Sequence, residues 1–267
     1  MKQISNVISK YIKITQTSIK SNLAYVREVV FRSIFMIIVL FIFIHLWKMA
    51  YSNNNTISGL TYNQTIWYFV ITETIMLSKI MVAGAISEEV KSGMLEYVMG
   101  RPFNYLGYHF FNGLGSCLIK LVVNFIAGSL IVRILVGSMP SSLFVLIPVS
   151  ISIIFSILID FCISSIIGLL AFKTEDITGF FIIYQKILFI LGGMLIPLEF
   201  FPDWLFEISK LLPFNFIVYA PARLLVGFTW ANFIHTILMQ GMWCLIFSVV
   251  LVIFFKVNIK RLSINGG

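Results

Sequence analysis

Ile86-Ser-Glu-Glu-Val-Lys-Ser-Gly-Met-Leu-Glu-Tyr-Val-Met-Gly-Arg-Pro-Phe103 is a short charged segment set between two long apolar runs. Val90, Met94, Leu95 and Val98 recur at helical spacing, while Glu88, Glu89, Lys91 and Glu96 fall elsewhere on the wheel. The spacing predicts an amphipathic helix over 88–99, stopped by Gly100 and Pro102. Its mixed charge suits a protein surface better than a bare lipid one. The segment is therefore expected to be a contact point for a cytosolic partner.

Everything around it is built for lipid. The 267 residues are 59% hydrophobic and only 11% charged, against about a quarter charged in soluble domains. Six apolar stretches, near 31–49, 62–85, 110–136, 143–172, 178–196 and 233–255, reach roughly the 20 residues that span a hydrocarbon core. The expected class is an all-α polytopic membrane protein with six transmembrane helices, and the alternation of a membrane β-barrel is missing. Some thirty polar-studded residues precede the first apolar run, so a retained anchor is expected there rather than a cleaved signal.

Lys and Arg cluster before the first run (Lys2, Lys10, Lys13, Lys20, Arg27, Arg32), after the second (Lys79, Lys91, Arg101), after the fourth (Lys173) and in the tail (Lys256, Lys260, Arg261). The opposite loops hold few, so both termini are expected on the cytoplasmic side. The net charge of +8 is then a topology signal with no call for nucleic acid. Residues 1–30 repeat Ile4, Val7, Tyr11, Ile19, Leu23 and Val26 at three- and four-residue steps, with lysines opposite. They predict an amphipathic helix on the inner membrane surface, an anchor or a connecting helix to the first span.

Motifs for chemistry within this chain are absent. There is no Gly-x-x-x-x-Gly-Lys-Ser/Thr loop, no Gly-x-Ser-x-Gly and no His-Glu-x-x-His, and the three histidines lack ligand spacing. No metal site is expected from them, and the three cysteines, all in apolar runs, read as buried free thiols. Four ionisable residues lie near mid-span: Glu73, Lys120, Asp160 and Lys186. Each must face a partner, a helix or water, as packing locks or as the lining of a path. Consecutive antiparallel spans bring Lys120 and Asp160 to similar depth, so that pair is the expected one.

After the fifth run the chain reads Gly193-x-x-Ile196-Pro197-Leu198, Pro202-x-Trp204-Leu205, Leu212-Pro213-Phe214, Tyr219-x-Pro221-Ala222 and Gly227. Asp203 is placed to cap a short helix that Pro213 ends, and Trp204, Tyr219 and Trp230 suit an interfacial belt. Residues 198–228 are expected to form a re-entrant outer hairpin within a six-span domain over 31–267. The run marked by Gly193, Pro197, Pro202, Trp204, Pro213 and Pro221 resembles the C-terminal signature of permeases of the second ATP-binding-cassette exporter type. The likeness is nearest to the daunorubicin, drug and antimicrobial-peptide export subgroup. Glu89-Val-Lys-x-Gly93-x-Leu95, followed by Arg101-Pro102, resembles that family's first coupling helix, about 87–101.

The resemblance implies a half-transporter of the bacterial cytoplasmic membrane. A second permease, identical or related, would complete the path, and two copies of a cytosolic ATPase would bind the ATP and Mg. Glu88, Glu89, Lys91, Gly93, Leu95, Glu96, Arg101 and Pro102 would meet that ATPase, with Glu175 nearby. The cargo would be an amphiphilic compound leaving through surrounding membrane lipid. The chain itself is expected to carry no cofactor and no catalytic residue. Two other classes stay open: a self-contained secondary transporter or channel, and an intramembrane enzyme.

Overall fold

The computed structural model describes residues 2–174 and 176–265, with side chains placed for 8–25, 27–31, 33–174 and 176–259. Glu175 lies outside the described residues, and so do the side chains of Lys2, Arg32, Lys260 and Arg261. The described chain is helical apart from one antiparallel ribbon of two short strands. Its helices are α1 (Lys2–Ala24), α2 (Val26–Ala50), α3 (Tyr62–Leu77), α4 (Val82–Lys91), α5 (Leu95–Met99) and α6 (Tyr105–Leu135). They continue with α7 (Leu146–Leu169), α8 (Thr178–Leu191), α9 (Asp203–Leu211), α10 (Tyr219–Val226) and α11 (Trp230–Asn265).

Among the described residues, five segments are long and apolar enough to cross a membrane: Arg27–Ala50, Tyr62–Lys91, Tyr105–Leu135, Leu143–Phe172 and Trp230–Ile259. The fifth expected span, 178–196, differs. Its helix α8 has 14 residues, a rise of about 21 Å at about 1.5 Å per residue, against the roughly 30 Å of a hydrocarbon core. Gly192 and Gly193 turn the chain at its end, and Pro197 leads into a single 3-10 turn at Leu198–Phe200. The connection between α2 and α3 holds the β-ribbon, Thr56–Ile57 against Leu60–Thr61, and plugs Leu60 fully into the core.

The segment expected as one helix over 62–85 is two. Residues 78–81 leave the helical path between α3 and α4. Lipid-facing backbone cannot be left unpaired, so such a break survives only when buried in protein. Here it packs inside: Ser78 is fully buried and Ile80 nearly so. The Ser78 hydroxyl accepts from Asn124 Nδ2 at 3.1 Å, and Ser33 donates to Asn124 Oδ1 at 2.7 Å. One asparagine thus ties α2, α6 and the break together.

The bundle has two distinct ends. At one, the start of α3 meets the segments after α8. Gln64 Nε2 donates to the Val226 carbonyl at 3.0 Å, and the buried Tyr68 hydroxyl donates to the Gly193 carbonyl. Short α10 is almost wholly buried there, packed on α3 and α7. At the other end lie α4, α5, the close of α11 and all of α1. Phe255 stacks on Tyr105.

Helix α1 lies along α6 through Thr15 and Ser18, with Tyr11, Ile14 and Ile19 partly buried beside them and Lys10, Lys13 and Lys20 exposed. Thr15 and Ser18 donate to the carbonyls of Phe111 and Asn112 at 2.9 and 2.6 Å, and the Tyr11 hydroxyl accepts from the Asn104 amide. Ile8, Ile12 and Leu23 point outward. In lipid an apolar stripe gains little by facing a neighbour, whereas small and polar groups gain close contact and hydrogen bonds. Gly115 permits that approach: a Cβ there would sit 2.6 Å from the Ser18 Cβ and 2.9 Å from the Thr15 carbonyl oxygen. Gly115→Val is expected to cost about 1–3 kcal/mol by overpacking and to lift α1 from α6. Thermal unfolding in detergent should show the loss and limited proteolysis should cut α1 faster. Unchanged melting and protection would contradict this seating.

Candidate functional site

The charged segment that opens the sequence folds as an elbow. Gly93 has φ +72, a left-handed value that L side chains rarely adopt. The expected continuous helix over 88–99 is therefore split into α4 and α5. Ile86, Leu95 and Val98 anchor the two pieces in a core shared with α6, α7 and α11. Glu88, Lys91, Met94, Glu96, Tyr97, Arg101 and Pro102 are exposed around the bend. The Arg101 guanidinium lies over the Tyr97 ring, 4.8 Å from its centroid.

Glu89 stands apart from its neighbours. Its Oε2 accepts from the Tyr105 hydroxyl at 2.6 Å and lies 3.1 Å from His109 Nε2. This expected contact residue is a rivet between α4 and α6, with Leu95 buried as another anchor. Lys10 of α1 donates to the Pro102 carbonyl, so α1 also holds the strand leaving the elbow. Lys91 Nζ is 3.9 Å from Asp176 Oδ1, which brings Asp176 beside the bend. Both hydrogen bonds from Thr178 hold the Asp176 carboxyl below its ordinary range, with Lys91 adding a smaller pull.

The mid-span charges are arranged differently from the expected pairing. Asp160 of α7 pairs at 2.6 Å with Lys79, from the break, where Lys120 was expected. Lys79 sits at the end of an apolar run and reads as a loop residue. The break turns it inward instead. Tyr184 of α8 donates to the same Asp160 oxygen at 2.6 Å, and Lys79 Nζ lies 5.0 Å from the Tyr184 ring centroid. Three elements thus converge on one buried carboxylate. Lys120 lines a cleft of about 330 Å³ with Lys79, Asn124 and Gln185. Glu73 is 1% exposed in α3, and its Oε1 meets no donor among the described residues. Lys186 points out from α8, among exposed Ile182, Ile183 and Ile190.

At the opposite end, Glu199 Oε1 accepts from Arg223 Nε at 2.6 Å and from the Tyr219 hydroxyl at 2.7 Å. Burial, with the Glu199 charge beside it, pushes the Tyr219 phenol above its ordinary range. Trp204 and Trp230 are exposed, whereas Tyr219 belongs to this network. Pro202, in place of Asp203, occupies the cap position of α9, and Asp203 is the first helical residue. Pro213 follows the end of α9, and Pro221 is buried inside α10. A largely apolar groove of about 590 Å³ runs between α3, α6 and α7, with Thr74 and Ser150 among its few polar residues.

Lys79, Asp160 and Tyr184 make the buried polar centre of this arrangement. It is a membrane bundle with an exposed charged elbow and a broken, charge-pinned helix beneath it. Residues 34–266 match the family described as "ABC-2 family transporter protein". The chain belongs to the ABC-2 transporter family. No curated protein matches it. As an ABC-2 permease it is a multi-pass membrane component of a transporter, without an ATPase motif of its own, and such permeases work with an ATP-binding-cassette component. Sequence reading of this permease missed Ser78, Lys79, Asn124 and Tyr184. The available signal was polar side chains inside apolar runs, which marks importance and leaves the partner unspecified.

Truncating Asp160 to Ala leaves Lys79 buried without its counter-charge, at a cost of about 3–5 kcal/mol. The double change Lys79→Met, Asp160→Leu should recover most of the lost melting temperature. Equal damage from the single and double variants would remove the pair as the organising contact.

Proposed function

We propose that this ABC-2 permease is the membrane half of an ATP-driven exporter that moves an amphiphilic compound by alternating access. The resemblance read over residues 193–227 supports export of a drug or antimicrobial peptide as the cargo class. The observation that carries the reading is the elbow at α4–α5. An exposed patch of both charges and one aromatic is mounted on buried anchors at one end of the bundle. Glu88, Lys91, Glu96, Tyr97 and Arg101 would enter a cleft on the ATPase, with the 173–177 loop alongside. Two ATPase copies would supply the site for ATP and Mg.

The route of force follows the contacts. A push on the elbow reaches α4, and from there passes to α6 through the Glu89 rivet and to α7 through the packing of α4. The break at 78–81 lets α4 tilt while α3 stays with the far end. The Lys79–Asp160–Tyr184 cluster then decides how far α7 and α8 follow. The connecting helix α1 moves with them because it is tied to Pro102 and α6. In this reading both termini face the cytoplasm of a bacterial cell, 198–228 roofs the outer side, and α8 with the turn behind it makes the sixth crossing.

Lys186 supports a second permease in the assembly. A lysine on an apolar, outward-facing helix costs about 2.5–3.5 kcal/mol against lipid on insertion scales. A partner subunit, identical or related, would relieve that cost and close the path. The alternative of a self-contained secondary transporter lacks an element that explains the exposed elbow.

Affinity capture of the tagged protein from its native membrane tests this reading. An ATP-binding-cassette ATPase should co-purify with the wild type and be lost with Glu96→Arg and Tyr97→Asp, both exposed, while the melting temperature holds. Failure to capture an ATPase in mild detergent, with ATP-independent transport in reconstituted vesicles, would overturn it.

A further inference from the structure

A cleft of about 330 Å³ opens where α2, the break at 78–81, α6 and α8 meet. Small-molecule pockets start at roughly that size and set a few convergent polar groups in mostly apolar walls. Phe35 of α2 and Met81 of the break, 58% and 63% exposed, line its mouth. Phe35 belongs to the exposed apolar face of α2, so the cleft opens on the side built to meet lipid.

Inside, the charge is of one sign. Among the described residues, the charged side chains that line the cleft are Lys79 and Lys120, both cationic. Asp160 holds Lys79 from the other side and lines a separate, smaller cavity. An ammonium carries three N–H donors, so Lys79 can serve a second acceptor while it stays paired. Gln185 of α8 lines the same cleft and has no hydrogen-bond partner among the described residues. Its amide supplies two more N–H donors. Lys120 and Gln185 are only half-buried, so a ligand in the cleft reaches both.

We infer that this cleft binds an amphiphile with an anionic phosphate head. The head's oxygens, strong acceptors all, meet Lys120, Lys79 and Gln185, and its alkyl chain leaves between Phe35 and Met81. An anionic phospholipid and a single-chain alkyl phosphate share that chemistry. Binding requires neither the ATPase nor transport, so its failure leaves the exporter reading intact.

Native mass spectrometry of the full-length protein in mild detergent reads the site directly. Dodecyl phosphate should bind the wild type about tenfold or more tightly than dodecanol or dodecylammonium, the range expected of one charge-assisted hydrogen bond. Lys120→Met keeps the length of the side chain without its charge and should erase that preference. Lys120→Glu should turn it toward dodecylammonium, a reversal that a merely structural lysine would not produce. Lys13→Met removes an exposed charge of α1 and should leave the preference intact. Circular dichroism melts verify that each variant is folded, and Gln185→Leu, expected to weaken dodecyl phosphate several-fold, decides the matter if the Lys120 variants are not. Phosphatidylglycerol displacing dodecyl phosphate, with phosphatidylethanolamine inert, identifies a membrane lipid as the source. Dodecyl phosphate that no phospholipid displaces identifies a single-chain phosphate. Equal binding of dodecyl phosphate and dodecanol to the wild type, an undiminished preference in folded Lys120→Met, or its loss in Lys13→Met overturns the inference.

Discussion

Asp160 accepts from Lys79 and Tyr184 in the middle of an apolar bundle, and the remaining architecture is arranged so that it can. A carboxylate and an ammonium removed from water each carry a desolvation cost of several kcal/mol. That cost is offset only by close geometry and additional hydrogen bonds. Lys79 reaches Asp160 because the chain leaves the helix at 78–81, and the break is tolerated because Ser78, Asn124 and Ser33 tie it to its neighbours. Charge pair and helix break therefore depend on each other. Straightening the helix would pull the lysine away, and losing the pair would remove the reason for the bend.

The positions of the membrane-length helices were legible because lipid imposes a crude demand: roughly 20 apolar residues in a row. Four of the expected spans appear as continuous helices, three with edges moved by a few residues and the last running on to Asn265. The break in the second was not legible, because Ser-Lys-Ile-Met carries neither glycine nor proline. Its cause is a side chain contributed by α7, some eighty residues later. The Lys120–Asp160 expectation failed for the same reason. Depth counted along the sequence assumes straight helices, and Lys79 gains its depth from a bend.

The elbow was legible as chemistry and only partly as geometry. Periodicity found its apolar anchors, while the left-handed turn at Gly93 divides the helix that periodicity implies. Glu89 and Glu96 look alike in sequence, yet one is an internal rivet and the other is exposed. Helix α1 shows the complementary error. Its amphipathic pattern identified a helix, but not the stripe of Tyr11, Thr15 and Ser18 that meets α6 and the residues before it. At the α9–α10 end, the proline and tryptophan punctuation announced short helices, whereas the contacts of Glu199 with Tyr219 and Arg223 are visible only in the folded chain.

The seating of α1 also has a bearing on how the protein is made. Its hydrogen-bond partners on α6 lie 94 and 96 residues farther along the chain. At synthesis rates of about 5–20 residues per second, the helix waits roughly 5 to 20 seconds before its groove exists. During that interval its hydroxyls have only water or headgroups to meet, while its outward isoleucines already have lipid. The stripe that ends on the outside of the finished bundle thus holds the nascent chain at the membrane surface until α6 arrives.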